Sequence, residues 1–373
     1  MSGASRSAAS NTAPEAIGRP ARLIEALARL LPLFAIGAGF LLLGATLAVA
    51  GDTLGYDFRA YWAAGSRVLA GQPAYDTSYT AAGGFGLFFY PPTFIPLVLP
   101  FALLPETMAV WAWTAVLVAA MVGGIAAMPV SPRLRWLVGL LAATSWPVLY
   151  AVKLGQVGPA LLLLYALGWR WLERPGAPGL AGGLGAAVKI QPGVVLVWAL
   201  LGRRFRDLFA GVAVLVVLAA LATLLAGFSA WADFLMLIGR VTDPITTPHN
   251  FTVGAVAYQA GLPRDAASML QWVSTAGALV ILVAAALRLG AVPAYLVAVV
   301  VSQLLSPILW YHYALLLLVP VAWLLARGQW WTVLIPLATC VVLVGGIPAV
   351  VYPAAFWVTL GALLSVGHTK RVS

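Results

Sequence analysis

Residues 208–227 read LFAGVAVLVVLAALATLLAG, a run with no charge and no proline. As an α-helix it is about 30 Å long at 1.5 Å per residue, which matches the hydrocarbon core of a bilayer. Arg203, Arg204 and Arg206 stand just before it, the mark of a cytoplasmic flank. Similar apolar runs cover 31–50, 267–287, 291–309, 331–347 and 350–366, with a shorter one at 313–326. The whole chain has 373 residues, of which 62% are apolar and 9% charged, against about 25% charged in a typical soluble domain. Its mean hydropathy is +0.98. A soluble globular fold is excluded, because too few polar residues remain to cover its surface. A membrane β-barrel would show alternating segments of about ten residues, and these runs are continuous. The fold class is therefore an all-α polytopic membrane protein.

The net charge is +10. The basic residues lie in short clusters between apolar runs, which points to cytoplasmic loops rather than to nucleic acid. The single cysteine, Cys340, allows no intrachain disulfide and no cysteine metal site, and it reads as a small helix-packing residue. Residues 1–20 are rich in Ala, Ser, Gly and Pro and are expected to be disordered, with a short amphipathic helix from Arg22 to Leu31. The run from Leu31 to Ala50 is too long for a cleaved signal peptide. The chain divides into an N-terminal cytoplasmic tail (1–30), one transmembrane domain (31–366) and a C-terminal cytoplasmic tail (367–373). Its outer loops are 51–89 and 228–265.

Further basic clusters are Arg133 with Arg135, Arg170 with Arg174, Arg288, Arg327, and Lys370 with Arg371. If all are cytoplasmic, the spans between them come in even numbers. Two segments break that parity. Residues 90–105 carry Pro91, Pro92, Pro96 and Pro100, and are too short to cross as a helix. They are expected to insert partly and return to the outer side. Residues 179–201 lie between two Arg clusters and are broken at Lys189-Ile190-Gln191-Pro192. Broken helices are tolerated where they line a polar cavity. The expectation is a hairpin of two half-helices with Lys189 near the membrane centre. This gives about ten full spans and two partial elements.

Nearly all the suggestive chemistry lies in or beside the outer loops. Tyr61, Trp62, Val68 and Leu69 fall on roughly one helical face, as in a helix lying at the interface with its rings at headgroup depth. Asp57 opens that helix, either as its cap or as a reactive carboxylate. Gln156 sits at the outer end of a span beside Lys153. Lys189 is an ionisable residue inside the membrane, costly unless functional, with snorkelling as the alternative. His249 and Asn250 lie in the second outer loop, where an ordinary surface loop is the other reading. His312, in Trp310-Tyr311-His312-Tyr313, is either a site residue or part of an aromatic belt. A carboxylate, a histidine and cations in one pocket suit a sugar transfer: cations hold an anionic phosphate, and the carboxylate takes a proton from a hydroxyl nucleophile.

The stretches Asp57-Phe58-Arg59-Ala60-Tyr61-Trp62, Gly71-Gln72-Pro73-Ala74-Tyr75-Asp76 and Phe89-Tyr90-Pro91-Pro92 resemble glycosyltransferase family 87. So do Gly155-Gln156, Lys189-Ile190-Gln191-Pro192 and the segment from Ser306 to Tyr313. The resemblance implies a GT-C-type fold of about 10–13 transmembrane or partly inserted helices. It implies an inverting, metal-independent transfer of a sugar, typically mannose, without a cofactor. The donor would be a polyprenyl-phosphate sugar and the acceptor a lipid- or glycan-linked hydroxyl, on the periplasmic face of the inner (plasma) membrane. Under it Asp57 is the base, Lys189 and His312 lie around the donor phosphate and sugar, and Arg59 is a phosphate partner. His249 and Asn250 match none of its motifs. The rival class is a multispan transporter or flippase, which also uses broken helices with a buried charge. Against it, no matching pair of broken segments is visible. A ligase or polymerase of lipid-linked glycans would share the donors and the outer face.

Overall fold

The computed structural model describes residues 19–78, 86–240, 243–341 and 349–368, and among these every regular element is helical. Five helices are long and apolar enough to cross a membrane, and a sixth span results if one bent pair is counted together. The chain is a multi-pass membrane protein.

Helix α1 (Arg19–Ala50) runs unbroken through Pro32. The short separate helix expected at 22–31 is thus the first part of this long one, and residues 1–18 lie outside the described residues. Leu33, Phe34, Phe40 and Leu41 are exposed along it, as expected of a lipid-facing surface. Helix α2 (Tyr56–Leu69) starts after Gly55, whose φ is +70°. It does not lie with its aromatic face outward. Phe58, Tyr61, Ala64 and Gly65 form its buried side, and Tyr61 is 1% exposed. The reason is that α3 (Ile95–Ala102), which follows a 3-10 turn at Pro92–Phe94, covers that side. A Cβ on Gly65 would lie 2.8 Å from the Ala102 Cβ, and Trp62 Nε1 donates to the Leu104 carbonyl at 3.0 Å. Eight residues of α3 span about 12 Å, well short of a bilayer.

Helices α4 (Glu106–Ala127) and α7 (Gly158–Arg170) pack on each other. Between them α5 (Pro132–Ala143) and α6 (Trp146–Leu154) meet at a bend of 65°. Helices α8 (Ala177–Val188) and α9 (Val194–Leu201) form the hairpin. A Cβ on Gly182 would lie 2.9 Å from Val195 Cβ, and one on Gly185 would lie 2.8 Å from Pro192 Cβ, so the chain reverses at Lys189. Its two feet are stitched together by α10 (Phe205–Ala226): Asp207 accepts from the Gly176 N–H (2.6 Å) and from Arg204 Nε (2.5 Å), and Arg204 Nη2 donates to the Leu172 carbonyl. Helix α8 can approach α10 because of its glycines. A side chain at Gly179 would run into the Asp207 carbonyl, and a Cβ at Gly183 would sit 2.5 Å from the Gly211 oxygen. Small residues four apart allow this close contact within membranes, where burial supplies no driving force between helices.

Residues 228–263 hold α11 (Ser229–Gly239) and α12 (Val253–Gln259), before the long α13 (Arg264–Arg288). Helix α14 (Ala291–Leu304) is the core, buried at every position from Pro293 to Leu304. A 3-10 helix at Tyr311–Leu317 leads into α15 (Leu318–Leu325), and another at Trp330–Val333 leads into α16 (Leu334–Val341). Helix α17 (Val351–His368) ends the described chain. Two segments expected as full spans are thus short helices of 10–17 residues, at 291–304 and 311–325, and of the span expected at 331–347 the described residues hold a helix to 341, the rest lying outside them. Packing inside protein rather than against lipid releases α14 and the Tyr311–Leu325 segment from matching the bilayer thickness.

Candidate active site

Two glycines build the site. Gly55 and Gly155 both have φ near +70° (70° and 73°), and each starts or ends a helix there. The Gly55 N–H donates to the Lys153 carbonyl at 2.8 Å, and a Cβ on Gly155 would lie 2.7 Å from Phe58 Cβ and 3.3 Å from Gly55 Cα. Trp113 Nε1 donates to the Gly155 carbonyl at 2.8 Å, and its ring stacks on Phe58 with centroids 5.1 Å apart. The two turns are pressed together, so the residues just beyond them meet.

Gln156 Nε2 donates to Asp57 Oδ2 at 2.5 Å. The Tyr90 hydroxyl donates to Gln156 Oε1 at 2.9 Å, and the Tyr61 hydroxyl donates to Tyr90 at 2.6 Å. This order matters. Because an ionised carboxylate only accepts, the amide nitrogen must face Asp57, which leaves the amide oxygen to accept from Tyr90, and a charge-assisted donor fixes that carboxylate. Asp57 makes no helix-capping bond; the N-cap of α2 is Gly55. Burial raises the Asp57 carboxyl above the ordinary carboxylate range, while the Gln156 hydrogen bond and the Lys189 charge pull the other way.

Lys189 is the apex of the α8–α9 hairpin, with extended backbone at φ −150° and ψ 130°. Its ammonium sits 4.1 Å from the Tyr313 ring centroid and 5.7 Å from that of Tyr90. Two ring faces hold the cation. No carboxylate lies within ion-pairing distance of it among the described residues. Neighbouring side chains pin the apex: Gln191 Nε2 donates to Ser306 Oγ at 2.9 Å, and Thr93 Oγ1 donates to the Ala187 carbonyl at 2.7 Å, satisfying the frayed end of α8.

The remaining expected residues divide. His312 is buried beside Lys189, and neither ring nitrogen has a partner. It lines a cavity of about 10 Å³ with Gly158, Leu161, Lys189, Gln303, Tyr313 and Leu316, room for about one water. Arg59 points outward and pairs with Glu106 at 2.6 Å, also donating to the Asp52 carbonyl at 3.2 Å. Asn250 is fully buried and its side chain is spent: it donates to the Pro244 and Pro307 carbonyls (2.8 and 3.1 Å) and accepts from the Thr252 and Leu309 N–H groups (3.0 and 2.9 Å). It latches the outer loop onto the segment before Trp310. His249 is exposed, with φ +58° and its ring 6.1 Å from that of Tyr311. Sequence reasoning missed Tyr90, Tyr61 and Tyr313 as site residues. Tyr90 carried a signal, since the Pro91-Pro92 pair forces extended backbone there.

Asp57, Gln156 and Lys189 thus converge, with His312 behind Lys189. An oriented carboxylate beside a cation can deprotonate a hydroxyl while a leaving phosphate is neutralised. No group of three His, Cys, Asp or Glu side chains gathers as a metal site among the described residues. The model of glycosyltransferase family 87 matches residues 88–307, more than half of the chain. No curated protein matches the chain, and no solved structure does.

Proposed function

The chain belongs to glycosyltransferase family 87, and from that premise we propose that it is an inverting transferase using a polyprenyl-phosphate sugar, with mannose as the sugar. The acceptor is a lipid- or glycan-linked hydroxyl on the periplasmic side of the inner membrane. The observation that carries the reading is the Gln156-oriented Asp57 carboxylate within electrostatic reach of Lys189, a cation without a carboxylate partner among the described residues.

The step is a single displacement. The acceptor oxygen forms a bond to the anomeric carbon, and the bond from that carbon to the phosphate oxygen breaks. The electron pair leaves on polyprenyl phosphate, and the acceptor proton passes to Asp57 and then to solvent. Lys189 stabilises the charge growing on the phosphate, so the leaving group needs no general acid. Holding the lipid donor at the apex of a hairpin within the bundle suits a substrate whose tail stays in the membrane.

The test is reconstitution of the purified chain in vesicles with radiolabelled polyprenyl-phosphate mannose and a glycoside acceptor. The expected result is release of polyprenyl phosphate matched by labelled glycoside of inverted anomeric configuration. Movement of intact donor across the bilayer without cleavage would identify a flippase instead.

A further inference from the structure

Six buried tyrosines, Tyr61, Tyr75, Tyr90, Tyr165, Tyr295 and Tyr352, each place the hydroxyl in a hydrogen bond within the protein. Among the described residues Tyr150 and Tyr311 find no such partner, although they are neighbours, with ring centroids 6.1 Å apart and planes at 89°. Both are half-buried, so each shows a ring and a free hydroxyl. Tyr150 extends a row that begins at Trp146, stacked on it at 5.8 Å, and Tyr311 extends it to His249 at 6.1 Å. Tyr150 lies on α6 about one turn before Lys153, whose carbonyl accepts from the Gly55 N–H (2.8 Å) just ahead of Asp57. The wall therefore adjoins the proposed base.

An aromatic belt at the membrane interface would explain exposed rings. It would not explain His249. This residue and Arg203 are the only non-glycine residues with positive φ among those described. A left-handed conformation costs an L-residue about 1–2 kcal/mol. The Asn250 latch and the Phe251 N–H bond to the Leu309 carbonyl (2.9 Å) hold that strained turn against the Tyr311 segment. Strain kept in place by so many bonds, against the Tyr311 ring, points to use of the side chain it presents.

We propose that Tyr150, Tyr311 and His249 form the acceptor subsite and that the acceptor is a carbohydrate, which rests on the transferase reading above. A pyranose has apolar C–H faces and a polar rim. A tyrosine likewise has an apolar body and a polar tip. The sugar ring lies against the two tyrosine rings, their hydroxyls and the His249 ring bond its rim, and its reacting hydroxyl turns to Asp57. A serine or threonine side chain of a protein acceptor would leave this wall empty.

The test uses the full chain in nanodiscs with octyl mannoside as the acceptor probe, a serine/threonine peptide as the rival, and polyprenyl-phosphate mannose as donor. The variants are Tyr150→Phe and Tyr311→Phe, which remove only hydroxyls, and His249→Gly, which removes the ring and suits the left-handed backbone. Each lost hydrogen bond should raise the acceptor KM about 5- to 10-fold, with donor affinity unchanged. Octyl mannoside binding without donor should weaken by the same factor. Unchanged acceptor KM and unchanged glycoside binding in all three variants would overturn the subsite, as would transfer to the peptide alone. Weakened donor binding with acceptor KM intact would assign the wall to the donor and also overturn it. If the wild type consumes no donor but glycoside binding weakens in the variants, the subsite stands and the transferase reading fails.

Discussion

Gln156 reaches Asp57 across 99 positions of sequence, and the direction of their bond, amide nitrogen to carboxylate oxygen, leaves the amide oxygen to accept from a third residue, Tyr90. The carboxylate can only accept, and the tyrosine donating to the amide oxygen holds the amide in the orientation that serves both bonds. One Asp57 oxygen is then occupied and the other is left for a substrate proton. This arrangement yields the most direct tests of the mechanism.

Asp57→Asn keeps the shape and removes the base. Transfer is expected to fall by about 10² or more, the scale of a lost general base, while donor binding persists. Single-turnover rates and donor titration of the purified variant measure the two separately. Near-normal transfer would move the search to Asp52 and Asp76.

The pH profile follows from the sign of the Asp57 shift. A base works ionised, so the rate falls as pH drops through its pKa. Burial raises that pKa, so the acidic limb of kcat/KM should lie above the ordinary aspartate value of about 3.9. Gln156→Leu removes a group that lowers it, and the limb should move further up. Tyr90→Phe should move it the same way by less, because the amide remains but loses its fixed orientation.

Lys189→Ala should weaken donor binding as well as turnover, since the cation faces the phosphate in ground and transition states alike. A lost charged hydrogen bond of about 1.5–3 kcal/mol corresponds to roughly 10- to 100-fold in donor Kd. Lys189→Arg should recover part of the binding but little of the rate, because a guanidinium stacked on the Tyr313 and Tyr90 rings spreads its charge over a plane rather than presenting the compact point charge of an ammonium. Equilibrium binding of a donor phosphonate analogue checks both.

Gly155→Ala should damage the site from outside it. The new methyl meets Phe58 Cβ and the backbone at φ +73° resists any side chain, at about 1–2 kcal/mol. Asp57 shifts with α2, and a misplacement of about 1 Å can cost about 10²-fold in rate. Thermal unfolding and transfer assays of the same sample report the two effects.

Asp207→Ala should act only on stability. It leaves the Gly176 N–H and the Arg204 guanidinium unpartnered at the hairpin's feet, and breaking such a buried pair costs about 3 kcal/mol. Denaturant unfolding in detergent should show the loss, with donor affinity of the folded fraction retained.

The membrane-crossing runs and the break at Lys189 were legible in the sequence because composition and a polar interruption are local signals. The face of α2 was not. Tyr61 and Trp62 are the residues an interfacial helix would expose, and the rings of Phe88, Tyr90, Phe94 and Trp113, all later in the chain, turn Tyr61 inward. Arg59 read as free to meet phosphate because its partner, Glu106, lies 47 positions away. Asn250 stood out as polar, yet a buried asparagine with every bond filled by backbone is a fastener, and that depends on Pro307 and Leu309. Gly155 and Gln156 could be marked as a motif, but not matched to Gly55 and Asp57, since their meeting is a close approach of two turns.

The glycine-faced hairpin also sets an order of assembly. Helix α8 has its closest neighbour in α10, which is synthesised after it, and both feet are tied by residues 204 and 207. Its apex is pinned by Ser306, later still. A nascent chain that stops before residue 205 therefore lacks the contacts that seat this segment. The cation proposed to meet the donor phosphate thus gains its seat late, when most of the bundle around it already exists.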